Sequence, residues 1–200
     1  MSLDENTLIT LAQLKIYLKE TTADYDTILE MLINAASTLM IKEIREDIVY
    51  TTYTSQKVSG NGRSLLYVPN RPIVILTTVI ESDATLTEDT DFYCHYAAGY
   101  LEKANGATWA KGIKNIELTY KAGYWVDTDP EDGTLPMPKD IQQGCMMQVG
   151  WWWKQSDKED WGEVSRNFPD GSSATLFSIV KEDLLPAVKQ ICAKYRRRLP

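Results

Sequence analysis

Residues 26–46 read DTILEMLINAASTLMIKEIRE. Apolar side chains recur there every three to four positions, in two adjacent rows: Ile28, Leu32, Ala35 and Leu39, and beside them Leu29, Ile33, Ala36, Met40 and Ile44. That spacing is helical, and Asp24 or Asp26 supplies an N-cap. Two rows are wider than the ~100° stripe that a surface helix buries. The helix is therefore expected to be covered on two sides, once by its own domain and once by more of the same chain or by a neighbouring copy. Upstream, Thr10 and Gln13 make a capping box, with Leu11, Leu14 and Leu18 at helical spacing until Thr21-Thr22.

Downstream the period changes from 3.6 to 2. Tyr50–Val58 is rich in Thr, Tyr and Val, and Gly60-Asn61-Gly62 signals a hairpin with Ser64–Val68 as the return strand. Further strands are expected at Ile73–Ile80, Phe92–Tyr96 and Ile113–Lys121, with an acidic turn region at Glu81–Asp91 and a loop at Gly99–Gly112. No helical crossover separates these strands, so antiparallel pairing is expected. Ala122-Gly123-Tyr124 ends the sheet, and an acidic linker, Asp127–Met137, follows. Pro138 opens a third helix, where its missing N–H costs nothing, running to about Gln155. Ser156–Lys181 is polar, with a short strand at Thr175–Val180, and Asp183 caps a last helix.

The fold class read from this order is α+β. A small helical bundle (two N-terminal helices, a central helix after the sheet, a C-terminal helix) carries an inserted antiparallel β region. Residues 1–49 and 125–155 form the helical core, 50–124 the β-rich insertion, and 156–200 a linker and C-terminal arm helix. Two hundred residues with 44% apolar and 24% charged side chains exclude a disordered chain or a coiled-coil rod. Apolar runs fall short of the ~20 residues of a bilayer span, and the acidic opening Met1–Asn6 does not read as a signal segment. A soluble protein of the cytosolic side is expected, contacting no membrane.

The net charge of -7 is uneven: residues 1–150 hold 21 acids against 12 bases, residues 151–200 hold 7 against 9. Affinity for nucleic acid comes from Lys and Arg displacing counterions, so an acidic body argues against general DNA binding. Chemistry is hard to find. Cys94, Cys145 and Cys192 are widely spaced and read as small buried apolar groups. His95, the sole histidine, alternates with Cys94 along a strand and would face the other way. The run Asp127, Asp129, Glu131, Asp132 lacks the glycine and distal glutamate of a calcium loop. No metal, cofactor or catalytic residue is nominated.

Aromatics are the unusual feature. Trp151-Trp152-Trp153 sweep roughly 200° of a helix, too wide for one core face. Trp152 continues the stripe Ile141, Cys145, Val149. Either all three are buried within the monomer, or Trp151 or Trp153 meets another subunit, together with Ile33 and Met40 of the wide helix. Gly144 and Gly150 in the same helix imply close backbone packing. The last helix is amphipathic and ends in a basic cluster. It packs on its own domain, or it is an arm that docks in a partner groove through Leu184, Val188, Ile191 and Tyr195. Arg196, Arg197 and Arg198 would then meet an acidic surface or phosphates.

In order and spacing these segments resemble the long form of the phage head–tail connector (head-completion adaptor) family. The resemblance is carried by Leu8-Ile9-Thr10-Leu11-Ala12-Gln13-Leu14-Lys15, Leu32–Ser37, Leu66–Ile73, Leu118–Tyr124 and Met137–Gln143. It implies a structural virion protein of the neck that assembles, typically as a dodecamer, beneath the portal. Such a ring extends the DNA channel and joins the capsid to the tail or stopper. The implied partners are the portal protein, a stopper or tail-completion protein, and further copies of itself, with DNA passing through unbound by sequence. A C-terminal segment often engages the portal in such proteins. The β region Tyr50–Tyr124 is larger than in the short all-helical adaptors. The alternatives are a tail-completion or stopper protein, or a polysaccharide hydrolase using Asp127, Asp129, Glu131 and Asp132.

Overall fold

The capping box closes as the sequence reads. Thr10 Oγ1 accepts the Gln13 amide N–H at 3.2 Å, and Gln13 Oε1 accepts that of Thr10 at 3.1 Å. They start α1 (Leu11–Leu18), which Lys19 ends in the left-handed conformation. In this computed structural model, residues 3–126, 133–156, 163–167, 173–177 and 184–196 are described, the two short segments 163–167 and 173–177 by backbone alone. The chain divides into a helical unit, residues 1–43 with 139–196, and a β unit, residues 44–138.

In the helical unit α2 (Asp26–Ile44) and α3 (Lys139–Ser156) join α1 and α4 (Pro186–Tyr195). Of the two rows on α2, one is fully buried: Leu29, Ile33, Ala36 and Met40. The α3 stripe Ile141, Cys145, Val149 and Trp152 is buried as well, as are Leu184, Val188 and Cys192 around α4. The two α3 glycines mark close approaches. A Cβ on Gly144 would stand 3.3 Å from both Ile191 Cδ1 and Met40 Cε, and one on Gly150 would stand 3.1 Å from Tyr17 Cε1. Two strands, β8 (Glu163–Asn167) and β9 (Ser173–Phe177), pair antiparallel. Only a short strand near the second was legible in that polar stretch.

The β unit holds two antiparallel sheets. One runs β1 (Thr51–Gly60), β7 (Gly112–Ala122), β3 (Ile73–Glu81), β4 (Ala84–Leu86); the other runs β2 (Leu65–Tyr67), β6 (Tyr100–Lys103), β5 (Phe92–His95). The expected hairpin across Gly60-Asn61-Gly62 is thus corrected. The turn exists, with Asn61 bonded to Arg63 N–H and Leu65 C=O, but the chain crosses to the other sheet. Gly60 allows it, because a Cβ there would lie 1.9 Å from the Ala110 carbonyl oxygen. The β4 and β6 strands stand where a turn region and a loop were expected.

One core fills the β unit, drawing on both sheets: Leu66, Phe92 and Leu101 from one, Val79, Ile116, Leu118 and Tyr120 from the other, with Trp109 fully buried among them. Trp109 Nε1 donates to Ser64 C=O at 3.0 Å, and Lys103 Nζ lies 4.6 Å from the ring centroid while paired with Glu81 at 2.7 Å.

Candidate interaction surfaces

Four of the five segments that carried the family resemblance meet in two pairs, each pair within one unit. In the helical unit the Leu8 N–H donates to Ser37 Oγ at 3.1 Å, and that hydroxyl lies 3.8 Å from Cys145 Sγ on α3. Ser37 is a buried polar residue one position off the apolar row, which is the signal that would have singled it out. In the β unit the Tyr120 hydroxyl donates to Asn70 Oδ1 at 3.1 Å, and the Gly123 N–H donates to the Pro72 carbonyl at 2.9 Å. Arg71 Nε pairs with the buried carboxylate of Glu46 at 3.2 Å. Gly123 has φ +104°, and a Cβ there would lie 2.5 Å from Val49 O. These residues hold a fold together; none is arranged around a substrate.

Cys145 and Cys192 are buried as the sequence reads, whereas Cys94 is half-buried. Burial pushes Cys145 and Cys94 up to about 12 and Cys192 to about 11, so none is a thiolate near neutrality. His95 sits on the outer face of its sheet, stacked on Tyr100 at 4.2 Å and 3.0 Å from Glu102, while Cys94 pairs with Leu101 across the ladder and packs on the core. Among the described residues no cluster of metal-ligating side chains occurs, and no helix is long and apolar enough to cross a membrane. The acidic run Asp127, Asp129, Glu131 and Asp132 lies outside the described residues.

The proposed contact residues sort by burial. Ile33 and Met40 are corrected: both are fully buried inside the helical unit, so neither is free to meet another subunit. Their row faces inward because Leu29, Ile33, Ala36 and Met40 share the α2 face toward the core. Trp151 and Trp153 are half-buried, flanking the buried Trp152, and Trp153 meets Tyr25 edge-on at 5.2 Å.

The free-arm picture of the last helix also changes. Leu184 and Val188 are buried within their own unit, and Ile191 and Tyr195 are half-buried. Tyr195 donates to Asp140 Oδ1 at 2.6 Å, and Arg196 bonds the carboxylate and carbonyl of Glu43. The N-cap is Leu185, which has no capping side chain; instead Gln148 Oε1 accepts the Leu185 N–H at 2.8 Å. Asp183, Arg197 and Arg198 lie outside the described residues.

Sequence comparison matches a family model described as head completion protein to residues 7–198. The chain belongs to the head completion protein family. Membership in this family makes it a structural protein rather than an enzyme. Two solved structures share the fold. A chain from the neck of an empty gene transfer agent particle, computed with C6 symmetry, aligns with TM-score 0.53 and 14% identity, over 100% of this chain and 98% of that one. A chain from the virion of a native gene transfer agent particle aligns with TM-score 0.53 and 12% identity, over 100% and 94%. No curated protein matches the sequence.

Proposed function

We propose that this head completion protein forms a closed ring in the virion neck, beneath the portal, where it continues the DNA channel and seats the stopper or tail. The observation that carries the reading is the family match across nearly the whole chain. The similar fold in a neck computed with C6 symmetry supports a ring whose copy number is a multiple of six, which twelve satisfies. Cyclic symmetry also fits a chain with apolar surface left exposed, since a ring is closed by two different patches meeting head to tail.

In this reading the portal meets the helical unit at its C-terminal end. Leu184 and Val188 already pack inside, so the proposed contacts are the half-buried Ile191, Tyr195 in exchange for its bond to Asp140, and the basic residues from Arg196 onward. Arg196 would exchange Glu43 for an acid on the portal. Half-buried Trp151 and Trp153 remain proposed subunit contacts, indole being favoured at such places.

The test is an amber mutation in the gene, followed by electron microscopy of the particles. The expected result is DNA-filled heads and separate tails, restored to joined virions by the purified protein. Joined, infectious particles in its absence would defeat the proposal.

A further inference from the structure

Gln148 is a fully buried polar residue on the inward face of α3, one turn from Cys145 and one turn from Trp152. Its carboxamide is oriented by α4: Oε1 accepts the N–H of Leu185, the N-cap residue, at 2.8 Å. Nε2 is bonded to the same carbon, so it lies within about 5 Å of that backbone nitrogen, against the start of α4. Nε2 meets no acceptor among the described residues, and neither does the buried Trp152 Nε1 one turn further along the same face.

The helix start adds donors of the same kind. Leu185 offers no side-chain cap and Pro186 has no N–H, so the N–H groups of Ala187 and Val188 stand uncapped in the first turn. Leu184, Val188 and Trp152 are buried around them, while Pro186 and Ala187 are exposed and leave an approach from solvent. Unpaired N–H groups in apolar surroundings are costly, and an acceptor placed there recovers that cost. Water suits the place poorly, since its own protons need acceptors and the groups named are all donors. A carboxylate only accepts, through both of its oxygens, and the positive end of α4 favours its charge. The donors are neutral, with no guanidinium fork among them, which suits a carboxylate better than a phosphate.

We infer that the junction of α3 with the start of α4 is a carboxylate-binding site, its donors being Gln148 Nε2, Trp152 Nε1 and the first-turn N–H groups of α4. The bound acid ties the beginning of α4 to α3, as Asp140 and Glu43 tie its end through Tyr195 and Arg196. The carboxylate comes from Glu182 or Asp183, which precede α4 in sequence and lie outside the described residues, or from a molecule outside the chain. The site stands whether or not the chain forms a ring.

The test is nuclear magnetic resonance on the full isotope-labelled chain, titrated with sodium acetate against sodium chloride at equal ionic strength. The Trp152 indole N–H is assigned by its loss in Trp152→Phe, and the Gln148 carboxamide by its loss in Gln148→Glu. The same titration is run on a chain carrying Glu182→Gln and Asp183→Asn. Acetate is expected to move both signals along one saturating curve. Movement in wild type means that the acid comes from outside; movement only in the doubly substituted chain means that the chain supplies its own.

In whichever chain responds, Gln148→Glu keeps an oxygen for Leu185 and sets a second oxygen where the donor was. Its affinity for acetate, read at Trp152, is expected to fall at least about tenfold. Trp152→Phe keeps most of the ring's bulk and loses one donor, and is expected to weaken acetate about threefold or more, read at Gln148. Should Gln148→Glu fail to fold by circular dichroism, Trp152→Phe decides alone. Signals that stay still in both chains, as a bound water would leave them, overturn the inference. So do folded variants that bind acetate as tightly as their parent.

Discussion

A methyl group at Gly123 would do more harm than at any other glycine of positive φ in the described β unit. Its φ of +104° suits only glycine, and the added carbon would lie 2.5 Å from Val49 O and 2.8 Å from Tyr50 N, both backbone atoms that cannot swing aside. Gly123→Ala is expected to cost on the order of 3 kcal/mol in urea unfolding. Gly106→Ala, also at positive φ but with nothing within 4 Å, is expected to cost about 1 kcal/mol. Equal costs would show that the Val49–Gly123 approach is not tight.

Cys145 provides a different residue-scale handle. Its thiol, ionising near 9.0 in a free chain, is raised to about 12 chiefly by burial, with the Ser37 hydroxyl opposing. Between those values the unfolded chain has released the proton and the folded chain holds it. Stability conferred by this group is therefore complete below pH 9 and falls as pH rises toward 12, by up to about 1.4 kcal/mol per pH unit. Urea midpoints measured from pH 8 to 11 are expected to show the decline, and Cys145→Ala is expected to make it shallower.

Among the elements, α3 carries three consecutive indoles in three environments, which substitution should separate. Trp152→Ala removes a buried ring and is expected to cost about 3–5 kcal/mol. Trp153→Ala loses an edge contact with Tyr25 and a half-buried surface, about 1–2 kcal/mol. A matching loss at both positions in chemical unfolding of the monomer would overturn this ranking. Removal of α4 has the larger expected effect. Ile191 and Val188 fill the space over Gly144, so ending the chain after Asp183 is expected to abolish cooperative melting of the helical unit, seen by far-ultraviolet circular dichroism. Read from the sequence as a linker and arm apart from the helical core, residues 156–200 would be dispensable for folding; the packing of α4 says otherwise.

That difference shows what was legible. Helices α1, α2 and α3 follow from spacing within a single segment, and the Thr10–Gln13 box, the Trp152 stripe and both glycine contacts stand where the spacing put them. Which α2 row faces inward does not follow from spacing, since both rows are apolar; the partners Asp4, Leu8 and Lys15 decide it. Strand existence was likewise local, but pairing was not. Residues 60–65 look like a hairpin because Gly60-Asn61-Gly62 has turn chemistry, while β1 finds its partner in β7, more than fifty residues away. The short β4 and β6 strands carry too few residues for alternation to show, and Trp109 looked like loop because its neighbours are small or polar although its ring is core.

At the scale of the whole molecule the charge decides how the protein treats DNA. Non-specific affinity scales with the number of phosphates that Lys and Arg neutralise, and this chain carries 28 acids against 21 bases. Several of those bases are already spent inside the fold: Lys15 on Asp26, Arg71 on Glu46, Lys103 on Glu81, Arg196 on Glu43. In the proposed ring every copy adds its net negative charge around the axis, which opposes binding of a duplex. Fluorescence anisotropy with a short labelled duplex at physiological salt is therefore expected to give a Kd weaker than ~10⁻⁴ M, the weak end of non-specific binding. Lowering the salt is expected to bring little gain, because few counterions are displaced. Micromolar binding with a steep salt dependence would instead require a concentrated basic face, and would turn the channel wall from a conduit into a DNA-holding surface.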